Sequence, residues 1–229
     1  MRLILILLIA AIFSSPIPTL AAAEDLTGAA KRILQKLEEE SGDKFLINWN
    51  QNTNTPSLLT GHLSKPSKHS PQWIAFEFLD KTKSLYGLKN PKNVMQVTEV
   101  SESSDNTIQV RLQHFLYNTP VWKDELVIQI NKQGIIRRVT GSVYPDLEKK
   151  TFNRPKHAIF SKKKAIQIAL SFAEADNAQL EEPEVDMYYL PSRPGIPLIY
   201  VVNLKSRESD KEYQKIFIHA LTGRVLEQQ

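Results

Sequence analysis

"VRLQHFLYNTPVWKDELVIQINKQGIIRRVTGSV", residues 110–143, decides the fold of this chain. Val110 and Leu112 continue an alternation begun at Ile108, and Trp122, Leu126, Ile128 and Ile130 repeat every second residue. Asp124 interrupts the apolar side once. A period of two marks half-buried strands. "NKQG" at 131–134 makes a turn in which Gly134 takes the positive φ that tight hairpins need, and Ile135 to Val143 returns alongside.

Before this block lie two helical patterns. Leu26, Ala30, Ile33 and Leu37 recur at helical spacing and stop at Ser41-Gly42. Ser70 caps a second helix with Pro71 at its first position, Ile74, Phe78 and Leu85 share one face, and Gly87 is placed to end it. Phe45–Trp49 and Leu58–Leu63 read as short strands around the polar loop "NQNTNTP", and Val94–Val100 as another strand. Helices followed by hairpin-linked strands predict an α+β fold, an antiparallel sheet with helices on one face.

Residues 145–160, "PDLEKKTFNRPKHAIF", read as a basic linker. A second unit follows it. Ser161 caps a helix with Ala165, Ile168, Ala169 and Phe172 in an apolar stripe; Val185–Leu190, Leu198–Leu204 and Tyr213–His219 are strands, with a short one at Val225. The expected organisation is therefore a leader at 1–23, a first α+β unit at 24–147, a linker at 148–160 and a second α+β unit at 161–229.

The leader reads as a secretory signal. A basic start at Arg2, an apolar run from Leu3 to Phe13 and the small residues Ala21–Ala23 predict cleavage near Ala23 and a secreted, extracellular or wall-associated protein. The alternative is a retained anchor, for which eleven apolar residues fall short of the about 20 that span a bilayer. With no Cys, the chain has neither a lipid-anchored cysteine nor disulfides. Without Arg2 it carries 28 basic and 25 acidic residues, too mild and mixed a balance for a nucleic-acid partner.

Catalytic motifs are absent. A zincin needs two His four apart around a Glu, and His62, His69, His114, His157 and His219 provide no such pair. No Gly-x-Ser-x-Gly elbow and no Gly-rich phosphate loop occur, so no cofactor or metal is expected, although a Ser/His/Asp set assembled in space stays open. His114, alternating with Val110 and Leu112, reads as a satisfied core histidine. Trp122 is either a core or rim aromatic, or a binding anchor. Lys149, Lys150, Arg154, Lys156, Lys162, Lys163 and Lys164 form a basic run. It is either a solvated face or a patch that docks on an acidic partner or an anionic wall.

Several ordered pieces resemble the propeptide of thermolysin-like metallopeptidases, an FTP domain followed by a cystatin-like PepSY domain. They are "NWNQNTNTPSLLTGHL" at 48–63, "SPQWIAFEFLDKTKSLYGL" at 70–88, the 110–143 block, "FSKKKAIQIAL" at 160–170, "PLIYVVNL" at 197–204 and "ALTGRVL" at 220–226. Departures are His114 where that family usually has Gln, Asn118 and Lys123 where it often has Gly, and His219-Ala220-Leu221 where Asp-Ala usually precedes Thr-Gly. The resemblance implies a non-catalytic protein that binds, inhibits or helps fold a thermolysin-like metallopeptidase. The residues brought forward for that contact are Tyr117, Trp122, His219, Val225 and Leu226, the last two in the terminal segment 225–229, which the resemblance would bring near the peptidase junction. Two alternatives stay open: an envelope-facing interaction module with no peptidase client, and a fragment of a zymogen whose catalytic part is lost.

Overall fold

The computed structural model describes residues 26–173, 180–206 and 214–226. The expected leader lies outside them, as do most of the turn at 205–212 and the last three residues of the chain. Helix α1 (Gly28–Ser41) starts at Thr27, whose hydroxyl accepts the Ala30 N–H. Strands β1 (Leu46–Asn50) and β2 (Thr55–Thr60) follow, then α2 (Pro71–Thr82), capped by Ser70 with Pro71 at its first position as expected. Gly87 lies beyond the end of α2 and closes the next turn at φ 62°.

A short α3 (Pro91–Val94) leads into β3 (Met95–Glu102), β4 (Ile108–Leu116), β5 (Thr119–Ile130) and β6 (Ile136–Ser142). The first sheet runs β1-β2-β6-β5-β4-β3, antiparallel throughout. Val110, Leu112, Leu126, Ile128 and Val139 point from it into one core with Ile74, Phe78 and Leu79 of α2 and Ala30 and Leu37 of α1.

The second sheet, β7 (Glu184–Tyr189), β8 (Leu198–Leu204), β9 (Gln214–His219) and β10 (Val225–Leu226), is also antiparallel. Helix α5 (Lys162–Ala173) covers one of its faces through Ala165 and Ala169, over Leu198, Tyr200, Val202, Ile216 and Ile218. Ser161 starts this helix, its hydroxyl accepting the Lys164 N–H. The buried stripe runs through Ala165, Ala169 and Ala173, so Phe172 falls at its flank and is exposed, contrary to expectation.

The α+β architecture is thus as read from the sequence, with one addition. A parallel contact between Val121 of β5 and Tyr189 of β7 joins the two sheets into one ten-stranded mixed sheet among the described residues. The basic stretch expected as linker holds a helical turn, α4 (Leu147–Lys150), and fully buried Thr151. Leu147, Ala158 and Phe160 anchor this stretch on the core beneath α5.

Candidate functional site

The site is built around the β4–β5 hairpin. Leu116 pairs with Thr119, leaving Tyr117 and Asn118 as a two-residue turn with φ 51° and 63°. Both central residues are left-handed, as the turn that matches strand twist requires. Beyond it the register jumps: Phe115 faces Pro120, but Gln113 faces Glu125. Residues 121–124 bulge out opposite His114 alone, with Lys123 at φ 55°. The Gln113 side-chain amide holds the bulge by donating to the carbonyls of Val121 (2.8 Å), Asp124 (2.9 Å) and His114 (3.1 Å). This bulge carries β5 from the first sheet to the second.

It also changes what faces where. The period of two expected to put Trp122 on the same side as Leu126, Ile128 and Ile130 does not hold: Val121 is buried, Trp122 is half-buried on the other face, and Asp124 resumes the inward phase. Trp122 meets Tyr188 and Phe217 edge to face, with ring centroids 5.0 and 5.1 Å apart. Leu226 joins this cluster, on the face of the second sheet opposite α5, over buried Ile199 and Val201. Strand alternation places His219 on that face too, two residues from Phe217, and its Nδ1 accepts the Leu221 N–H at 3.2 Å. A cleft of about 680 Å3 opens beside the aromatics, lined by Asn52, Trp122, Lys123, Tyr144, Arg193 and Phe217 among others.

The five residues brought forward by sequence therefore divide. Trp122, His219 and Leu226 share the aromatic face. Val225 turns to the α5 side, and Tyr117 lies there as well, its ring 6.3 Å from buried Tyr189 with the Lys156 ammonium 3.9 Å above its centroid. The basic run is exposed on this second side, where Lys162 lies 3.6 Å from Asp186 and donates to the Val185 carbonyl.

Between the faces sits a pair that sequence reading did not connect. His114 and Asp124 are both buried, and His114 Nδ1 lies 2.8 Å from Asp124 Oδ2, which also accepts the Tyr144 N–H at 3.0 Å. His114 is a core histidine with a partner, as expected, although its Nε2 and Asp124 Oδ1 have none. Burial raises the Asp124 carboxyl above the ordinary carboxylate range, and the His114 hydrogen bond opposes the shift. The signal in sequence was a polar residue at an inward phase on each arm of one hairpin; pairing them required the register jump.

A second cleft, of about 620 Å3, lies between α1 and α2, with Ile33, Leu37 and Phe78 in its wall and Trp73 at its mouth against the His69 ring, centroids 3.9 Å apart. Among the described residues, no three His, Asp or Glu side chains gather as a metal site requires. Nor, among them, is any helix long and apolar enough to cross a membrane.

Comparison with known proteins adds a relationship. No protein-family profile matches the chain. It is 29% identical over 182 residues to Bacillolysin of Bacillus cereus, a stretch that is 78% of this chain and 32% of that protein. It is 24% identical over 189 residues to Neutral protease B of Bacillus subtilis (strain 168), 79% of this chain and 34% of that one. The chain thus spans about a third of the length of the curated relatives it matches.

Proposed function

We propose that this chain is a secreted, non-catalytic, propeptide-like protein that binds a thermolysin-like metallopeptidase, inhibits it and assists its folding. The observation that carries the reading is the proportion of the similarity. Nearly four fifths of the chain aligns with two peptidases, yet it matches only about a third of each, a share that suits an accessory region. The lack of zincin His spacing in the sequence agrees with a partner role.

The proposed mechanism is surface complementarity. The aromatic face around Trp122 docks on the folded peptidase and excludes substrate. Because the chain binds the folded peptidase in preference to the unfolded one, the same contacts favour the folded state by mass action. Where the two meet as separate chains, no covalent link supplies local concentration and the interface itself must be tight.

The test is a titration of purified chain into a bacillolysin-type peptidase, read by peptide hydrolysis. Nanomolar inhibition supports the reading. Absence of inhibition at micromolar chain, with no gain in peptidase refolding yield, overturns it.

A further inference from the structure

A different observation bears on the opposite side of the second sheet. From Lys149 to Lys164 the chain carries seven Lys or Arg and no Asp or Glu; the nearest acids in sequence are Asp146 and Glu148 just before it, and Asp186 of β7 lies 3.6 Å from Lys162. Buried Leu147, Thr151 and Ala165, with half-buried Ala158 and Phe160, pin this segment to the core beneath α5. Apart from half-buried Ala158 and Phe160, the residues between the anchors are exposed. Among them are two large apolar side chains, Phe152 at 74% and Ile159 at 75% exposure. Among the described residues Lys149, Lys150, Arg154, Lys163 and Lys164 form no salt bridge.

We infer that this surface, residues 149–164, docks on an anionic phospholipid bilayer, its cations against the headgroups and Phe152 and Ile159 in the interfacial layer. Three features favour lipid over an acidic protein. Six of the seven cations are lysines, strongly hydrated point charges that suit a diffuse anionic plane rather than planar carboxylate pairing. Lysine is depleted in protein interfaces, where arginine and aromatics are enriched. The two apolar side chains stand among cations, the combination that places a protein on a membrane surface. A wall polyanion would answer the charges but would leave Phe152 and Ile159 in water. This goes beyond the peptidase reading and does not depend on it.

The experiment is co-sedimentation of the full chain with vesicles of phosphatidylcholine alone or of phosphatidylcholine with phosphatidylglycerol. Both parent and variants keep the apolar residues 3–13, so the difference between them isolates the segment. The parent is expected to prefer the anionic vesicles, with binding lost as salt shortens the Debye length below about 10 Å. Lys149→Gln/Lys150→Gln/Lys163→Gln/Lys164→Gln is expected to weaken that binding by at least about 100-fold. Phe152→Ser/Ile159→Ser is expected to weaken it about tenfold or more with the salt dependence kept. All six positions are exposed, and unchanged circular dichroism confirms that the variants fold. Equal binding to both vesicle types, or no loss in the lysine variant, overturns the inference. So does an unchanged apolar variant whose parent is displaced from vesicles by polyglutamate, which would assign the patch to an acidic polypeptide.

Discussion

Replacing His114 with Leu strips Asp124 of its main partner in a place that water does not reach. Asp124 is fully buried, its Oδ1 already lacks a partner, and its Oδ2 would keep only the Tyr144 N–H. Breaking a buried pair by removing one member costs about 3–5 kcal/mol, because a charge is left uncompensated. At a urea dependence of about 2 kcal/mol per M, the unfolding midpoint falls by about 1.5–2.5 M. Asp124→Asn in the same background removes the charge and should return about half of the loss, so the double variant is more stable than His114→Leu alone. Urea unfolding of parent, both single variants and the double at neutral pH measures all four corners. A His114→Leu cost below about 1 kcal/mol, or an Asn substitution that adds to the loss, would refute the reading that His114 compensates the buried Asp124 carboxylate.

Other consequences are separable. Burial holds the folded Asp124 carboxyl above its unfolded value of about 3.9, so its favourable contribution is complete below that pH and is lost as pH rises through the folded value. The stability of the parent relative to Asp124→Asn should therefore fall on going from pH 4 toward neutrality, more steeply in the His114→Leu background; a flat difference would contradict the assignment. Lys123→Gly should stabilise the chain by about 0.5–1 kcal/mol, since the left-handed strain at φ 55° exceeds the entropy lost to Gly, and thermal unfolding will register it. Gly134→Ala should destabilise by at least about 2 kcal/mol, because φ is 71° and a Cβ would lie 1.9 Å from the Ser67 carbonyl oxygen. Its unfolding midpoint is the readout.

Local chemistry made much of the fold legible. Ser70-Pro71 marked the start of α2, the alternation at 108–112 and 126–130 marked two strands, and Gly134 does take positive φ, at 71°. The bulge was hidden because the position that needs left-handed backbone is occupied by Lys123, which gives no turn signal. With the bulge went the facing of Trp122, the His114–Asp124 pair and the parallel contact at Val121. Each of these depends on a register jump between strands, not on any residue read alone. The segment 145–160 read as linker because its cations dominate, while its anchors, Leu147 and Thr151, are single residues without a period.

The aromatic face is most directly tested by binding the chain to a catalytically inactive thermolysin-like peptidase and measuring affinity by calorimetry. The account predicts a one-to-one complex in the nanomolar range that Trp122→Ala weakens about 30-fold, the equivalent of about 2 kcal/mol for an interface anchor. No complex at micromolar concentrations, or a complex indifferent to Trp122, would contradict it.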